Sequence, residues 1–447
     1  MNYFRKSVYI CITIALFSPH LAAATTSKTA SDEAPEKATL ALGQAVDVAL
    51  ASNPALAAQG AHAEAVRHIA PQVGSLPDPV LSLNALNLPV DSFSTTQENM
   101  TQLQLGFSQA IPFPGKLGLR ESAARLLADA AESDTDEFRQ QLISRVKGSW
   151  WNLFYLDRSL ETVERNKQLL RQLIRIAESK YKVGKGLQQD LLLAQLELSR
   201  LLDVEISLTS ARKQEVARLN ALLNRPASLA VHLPQKVSET LPELAEESLL
   251  AEQALISRPL LSRQYKYIES AQTYLKLAEK EYYPDFNIGA AYGLRSGINA
   301  ANGRSRPDFA SIKLSMTLPF FTGSKQDSHL DQRKAELARS RFSYQDAKDA
   351  VLAEVSQALA AYDKAKEQGL LFKTGIIPQA HLTVASMLAG YQVNKVDFLN
   401  LVQAQITLYN YETQYWKALA EANQNLARLD AAVGATVRKG MDKESLQ

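Results

Sequence analysis

Four short stretches of the chain alternate between apolar and polar positions. Leu103, Leu105, Phe107, Gln109 and Ile111 share one parity, with Gln102, Gln104, Gly106 and Ser108 on the other. Phe286, Ile288, Ala290, Tyr292 and Leu294 alternate with Asn287, Gly289 and Gly293, and Ile312, Leu314, Met316 and Leu318 with Ser311, Lys313, Ser315 and Thr317. Val80 to Leu88 is a weaker fourth run. A period of two means a strand with one apolar and one polar face. Each run has about 9–11 residues, the length a tilted strand needs to cross an outer membrane. Polar loops, Pro89 to Asn99 and Arg295 to Pro307, join each pair.

The remaining pattern is helical. No proline interrupts the chain from about Leu117 to Lys180. At about 1.5 Å per residue that stretch makes a helix of roughly 90 Å. Leu187, Leu191, Ala194, Leu198, Leu201 and Leu208 then follow in steps of four and three, a coiled-coil seam. A second set of helices is expected from about Lys325 to Thr374 and from Val396 to Val433.

The chain repeats itself. Pro77-Asp78 recurs 207 positions later as Pro284-Asp285, and Ile111-Pro112-Phe113 as Leu318-Pro319-Phe320 at the same offset. Tyr181-Lys182-Val183-Gly184-Lys185 recurs as Tyr391-Gln392-Val393-Asn394-Lys395 at an offset of 210, with Ala194-Gln195 and Ala404-Gln405 in that register. Repeats of this kind come in one order with a small drift, so the chain reads as two copies of one unit. The copies span 40–224 and 248–434. The stretch 225–247, with Pro226, Pro234 and Pro242, is the linker, and 435–447 is a polar tail.

Four strands cannot close a barrel, and open edges cannot sit in lipid, where each unpaired backbone group costs several kcal/mol. If these strands cross a membrane, several chains must pool them, and three chains give twelve. A small soluble sheet capping a helical bundle is the alternative that the pattern alone leaves open.

At the N-terminus, Arg5 and Lys6 precede an apolar run from Val8 to Phe17, broken by Ser18-Pro19-His20 and followed by Ala22-Ala23-Ala24. This reads as a signal peptide over 1–24, with 25–39 as an N-terminal extension. Cys11, the single cysteine, lies within the apolar run, so no disulfide and no thiolate metal cluster is expected. Lys+Arg 49 against Asp+Glu 47 gives +2, no field for nucleic acid. With 46% apolar residues the chain has material for a large core, and 19 glycines in 447 residues favour long helices over loops.

Two helix–strand–strand–helix copies behind a signal peptide resemble the TolC-like outer-membrane efflux family. The most specific residues are the paired turns Tyr181-Lys182-Val183-Gly184 and Tyr391-Gln392-Val393-Asn394, each followed by an Ala-Gln helix. The resemblance implies a mainly α fold with a membrane β-barrel. Three chains would complete twelve strands, continued by a periplasmic tunnel of coiled-coil helices. Leu76-Pro77-Asp78-Pro79, Asn87-Leu88-Pro89, Ser108-Gln109 and Pro114-Gly115-Lys116 resemble a narrower branch, the outer-membrane components of heavy-metal cation pumps. Copper/silver and cobalt/zinc/cadmium exporters belong to that branch.

The same resemblance implies partners and sites. It implies a homotrimer in outer-membrane lipid, a periplasmic adaptor and an inner-membrane resistance-nodulation-division pump. Adaptor docking falls to the tips, Tyr181, Val183, Gly184 and Lys185 with Tyr391, Val393, Asn394 and Lys395. A periplasmic aperture falls to Asp190, Tyr391, Asn400 and Gln403, with a latch between Asp190 and Tyr391. The chain departs from the family pattern where aspartates are usual, at Asn400 and Gln403, and at Val396, where a basic residue is usual.

Enzyme signatures are missing. His62 and His68 are six apart, off the i, i+4 spacing of a zinc helix, and no His-Glu-x-x-His, Gly-x-Ser-x-Gly or phosphate-binding glycine loop occurs. Neither a cofactor nor a metal ligand set is expected. Trp150, Trp151 and Tyr155 are expected to pack between helices. The expectation is a passive exit duct without an active site, exporting heavy-metal cations. A duct for drug efflux or type I protein secretion is its rival, as is a periplasmic coiled-coil scaffold with no pore.

Overall fold

The computed structural model describes residues 39–437. The expected signal peptide, nearly all of the extension and most of the tail lie outside those residues. Each copy begins with a bent helical lead-in. In the first copy these are α1 (Leu42–Ser52), α2 (Pro54–Arg67) and α3 (Ile69–Gly74); in the second, α6 (Glu247–Ser257) and α7 (Pro259–Lys280). Both bends sit at a residue followed by proline. A pre-proline residue is pushed out of the helical region, and Asn53 (φ −68°, ψ 118°) and Arg258 (φ −71°, ψ 119°) take the same extended conformation.

The strands are β1 (Val80–Leu86), β2 (Gln102–Ile111), β3 (Asp285–Leu294) and β4 (Phe309–Thr317), forming one antiparallel sheet in the order β1-β2-β3-β4. The fourth run thus ends two residues before Leu88, where Asn87 turns the chain at φ 53°.

From the sheet run the long helices α4 (Lys116–Lys182) and α5 (Gln188–Leu222) of the first copy. The second copy has α8 (Gln326–Leu371), α9 (Ile377–Gln392) and α10 (Phe398–Val433). A π-helical turn, Phe372–Ile376, joins α8 to α9 without a break. The helix expected to stop near Thr374 therefore continues to Gln392. Pro378 has no N–H for the Thr374 carbonyl, and the wider π turn absorbs the misfit that would otherwise end the helix. The drift from 207 to 210 also has a location. Ile111 and Leu318 correspond at the strand ends, Lys116 and Gln326 at the helix starts, so three extra residues lie in the second junction.

The core has three parts. Trp150, Phe154, Leu142 and Leu219 pack under α1 and the linker, and the Trp150 indole N–H donates to the Leu40 carbonyl at 2.9 Å. Val351, Val355, Tyr362 and Leu429 form the second-copy counterpart. Leu170, Leu173, Ala194, Tyr391, Phe398 and Leu401 form a third cluster near the turns. Within the α5 seam Ala194 is buried against α4, whereas Leu192, Leu196, Leu202 and Ile206 are exposed along the outer side of α5.

Candidate functional site

The strand register places the alternating apolar positions of β2, β3 and β4 on one face, while Val80, Leu86 and Phe309 fall on the other. Leu83, Leu105, Tyr292 and Ala310 lie in one row, and Leu81, Phe107, Ala290 and Ile312 in the next. The opposite face carries Ser82, Gly106 and Ala291 in one row, and Asn84, Gln104 and Gly293 in another. The apolar face is bare, with Ile312 89% and Leu83 79% exposed. A hydrophobic sheet face of this extent needs cover, because soluble monomers rarely leave large contiguous apolar patches in water. β1 and β4 each have a sheet neighbour on one side only. Aromatic residues collect where strands meet helices. The Phe113 and Tyr283 rings stack at 4.6 Å, and Phe320 and Phe321 are exposed. Aromatic belts of this kind mark membrane–water boundaries. There the buried Lys116 ammonium donates to the Asp285 carboxylate at 2.8 Å and to the Tyr283 carbonyl at 3.0 Å, fixing the start of α4 against β3.

At the far end, the two turns have one backbone. Gly184 (φ 72°) and Asn394 (φ 59°) occupy the left-handed position that closes a helix. The Lys185 N–H donates to the Lys180 carbonyl at 2.8 Å, and the Lys395 N–H to the Gly390 carbonyl at 2.9 Å. The Gly184 N–H reaches the Tyr181 carbonyl at 3.0 Å, and the Asn394 N–H the Tyr391 carbonyl at 3.2 Å. Only Gly or Asn readily adopts this conformation, which explains why the recurring motif has Gly in one copy and Asn in the other. Val183 and Val393 are both exposed at these turns.

The side chains differ. Tyr181 is 47% exposed, whereas Tyr391 is 5% exposed and packs on Phe398 with ring centroids 5.1 Å apart. Lys180, one residue before the recurring motif, joins the two turns. Its ammonium bonds the Tyr391 carbonyl, donates to Asn394 Oδ1 at 2.6 Å and lies 4.2 Å from the Tyr391 ring centroid. A lysine in the last helical turn before a left-handed cap, with a small residue at the matching site of the other copy (Gly390), was the available signal.

Three of the expected aperture residues lie along the start of the return helices α5 and α10, and the fourth, Tyr391, lies at the end of α9. Asp190 is half-buried in the first turn of α5; Asn400 and Gln403 are exposed on α10. Burial raises the Asp190 carboxyl above its ordinary range, and the nearby Asp397 carboxylate adds to this. Burial, with the Asp190 charge, pushes the Tyr391 phenol up to about 12, so it is protonated at any working pH. The buried Tyr391 hydroxyl has no hydrogen-bond partner among the described residues. Asp190 and Tyr391 are thus close enough for their charges to interact, but no bond joins them within one chain.

Elsewhere, His62 and His68 are both exposed, and His68 meets only Glu64 at 3.1 Å. No group of three or more His, Cys, Asp or Glu residues among those described could hold a metal ion. No described helix is long and apolar enough to cross a membrane.

Residues 45–225 and 250–435 match the family described as outer membrane efflux protein. The cobalt-zinc-cadmium resistance protein CzcC of Cupriavidus metallidurans is 20% identical, over 95% of this chain and 98% of its own length. The outer membrane efflux protein BepC of Brucella suis is 23% identical, over 73% of this chain and 70% of its own length. Among solved structures, the Campylobacter jejuni CmeC outer membrane channel superposes with a TM-score of 0.74 at 16% identity, covering 95% of this chain and 96% of that one.

Proposed function

Because the chain belongs to the outer membrane efflux protein family, we propose that three copies close into a twelve-strand barrel continued by a helical tunnel. This trimer is the exit duct for heavy-metal cations driven by a resistance-nodulation-division pump through a periplasmic adaptor. One observation carries the reading: a four-strand sheet with one predominantly apolar face, Gln109 being its polar exception, and two open edges. Lipid satisfies the face and neighbouring copies satisfy the edges. The helices repeat this logic, since the outer side of α5 exposes Leu192, Leu196, Leu202 and Ile206. A duct needs no active site, and the family consists of channel proteins. The similarity to CzcC over nearly the whole chain supports a metal cargo.

Within this reading the turns around Gly184 and Asn394 receive the adaptor. The starts of α5 and α10, with Asp190, Asn400 and Gln403, and Tyr391 at the end of α9 form the aperture. Tyr391, protonated and with its buried hydroxyl unpaired among the described residues, becomes a donor for Asp190 when the tip repacks to bring the two together. Expression in a strain lacking the outer-membrane component of its metal exporter tests the cargo. Restored tolerance to cobalt, zinc, cadmium, copper or silver is the expected result; restored drug tolerance or protein secretion alone would overturn it. Gly184→Trp should abolish that tolerance while the amount of trimer in the membrane stays unchanged, and retained tolerance would refute docking at the turns. Asn400→Asp with Gln403→Asp should add divalent-cation block, and unchanged block would remove the aperture assignment.

A further inference from the structure

A polar cavity of about 330 Å³ lies where the middle of α4 meets the C-terminal parts of α5 and α10. Arg145 from α4, Arg218 from α5 and Arg428 from α10 line it. All three are exposed residues, and none has a carboxylate within ion-pair distance among the described residues. Arg145 donates only to Gln141 at 3.0 Å and Arg428 only to Asn425 at 3.3 Å. Arg145 also lies 5.5 Å from the Phe138 ring centroid, so what the three guanidiniums lack is a carboxylate, and like charges lining one cavity repel unless an anion sits between them.

The floor explains why the arginines do not collapse onto their one nearby acid. Glu215 is buried, and both its carboxylate oxygens are taken by α4: the Ser149 hydroxyl donates to Oε1 and the Asn152 amide to Oε2 at 2.8 Å. Glu215 therefore holds α5 to α4. Its single negative charge leaves the cavity with two uncompensated positive charges per chain.

The cavity also has a direction. Leu142 and Trp150 of α4, Val216 of α5 and Leu419 of α10 turn toward α1 and the linker, which cover that side. Arg145, Arg218 and Arg428 are exposed, pointing away from that buried cluster. In the trimer proposed above, on which this inference rests, the side they occupy faces the lumen.

We propose that this cavity is an oxyanion-binding station on the tunnel wall, one per chain, taking a divalent oxyanion of the sulfate or phosphate type. Guanidiniums bind such groups through paired parallel hydrogen bonds. Two negative charges cancel the two uncompensated positive ones. With the stations empty, the tunnel has a ring of positive charge that favours anions and opposes metal cations. With them filled, the ring is neutral and cations pass, so the bound oxyanion sets the charge preference of the duct.

The test is single-channel recording of the full-length protein in planar bilayers under a potassium chloride gradient, with sulfate and inorganic phosphate as probes. Wild-type channels should prefer chloride, and millimolar sulfate or phosphate should reduce that preference several-fold. Arg145→Gln with Arg218→Gln and Arg428→Gln should reduce it to the same extent without added oxyanion and show no further response. Lys213→Gln, a lysine outside the cavity lining, should leave both unchanged. The triple variant must form channels of wild-type conductance, which separates a lost site from a misfolded one; the sulfate response of the wild type is independent of that variant. An unchanged reversal potential in a conducting triple variant would overturn the station. A shifted potential with no sulfate or phosphate response in the wild type would also overturn it, because a protein carboxylate would then fill the site. Absence of any conductance in the wild type would instead overturn the duct reading.

Discussion

The two copies run helices of equal length from sheet to tip, since Lys116–Lys182 and Gln326–Gln392 span the same number of residues. In the first copy the helix is continuous. There Thr162 and Asn166 bond the carbonyls of Arg158 and Thr162, at 2.9 and 2.8 Å, within the regular ladder. In the second copy the matching residues, Phe372–Ile376, form the π turn, two residues before Pro378. The loosened turn is strapped from outside. Lys373 within it donates to Glu239 of the linker at 2.6 Å, as does the Tyr415 hydroxyl at 2.6 Å. The first copy is thus a stiff rod, and the second is a rod with one weak point held by the linker. Duplication supplied two equal lengths, and sequence divergence then gave one of them a place to bend.

The bends before the sheet differ in the same direction. Asn53 caps α2, accepting from the Ala55 and Leu56 N–H groups, and donates to the Leu222 carbonyl at 3.0 Å. Arg258, at the matching site, donates to the Ala431 carbonyl at 2.5 Å and pairs with the buried Glu137 of the first copy through two bonds of 2.8 Å. One residue serves its own copy; the other ties the copies together. The largest effect in the molecule should therefore come from Arg258→Met. Breaking a buried pair leaves an uncompensated charge and costs about 3–5 kcal/mol, against about 1 kcal/mol for Asn53→Ala, the loss of a helix cap. Denaturant unfolding of both variants in detergent checks the ratio, and equal losses would remove the asymmetry.

At the tips, Lys180→Ala should free the second turn from the first. Two bonds from a charged donor, partly exposed to water, suggest a loss of about 1–2 kcal/mol. It should appear as faster amide exchange at Tyr391–Lys395, with Tyr181–Lys185 unaffected, and a higher resting conductance. Gly184→Ala should cost about 1 kcal/mol through the left-handed backbone, and Asn394→Gly about 0.5–1 kcal/mol, through the lost Lys180 bond and not the backbone. Thermal melting separates the two, and a larger effect at Asn394 would reverse the comparison.

The smallest effects come from pH and run in opposite directions. The folded tip raises the Asp190 carboxyl, so its protonated form favours the closed packing. That contribution is present below the ordinary carboxylate range of about 4 and is lost as pH rises through the raised value. For Glu239, burial alone would raise the carboxyl, but Lys373 and Tyr415 together hold it below its ordinary range. Its contribution is present above the ordinary range and fades as pH falls through the lowered value. Relative to the intrinsic exchange rate at each pH, mild acid should raise amide protection at the tip, and stronger acid should lower it at Phe372–Ile376. Asp190→Asn should abolish the first response and leave the second.

Much of this was legible in the sequence. The strands followed from period two, because a residue slipped by one would have changed face, and the register keeps Leu105, Tyr292 and Leu83 together. The turns followed from Gly184 and Asn394, because few residues accept their backbone. The features that escaped notice depend on contacts across long separations. Arg258 meets Glu137 across 121 positions and Lys180 meets Asn394 across 214, so no local pattern announces either. The helix expected to end near Thr374 runs on past Pro378 for the opposite reason. That proline is a strong local stop signal that packing around the π turn overrides. The arginine cavity draws one residue from each of three helices, and each looks like an ordinary surface charge in its own segment.

Mass measurement on the cross-linked, detergent-extracted protein, with bilayer recording from the same preparation, tests the central claim most directly. The two edges of the sheet require partners, and twelve strands require three chains. The account predicts a trimer that conducts, and Leu314→Arg, placing a charge on the lipid face at a cost of about 2–4 kcal/mol near the membrane midplane, should lose both properties where Lys313→Gln on the opposite face keeps them. A monomer that inserts and conducts alone, or a trimer indifferent to both substitutions, would contradict it.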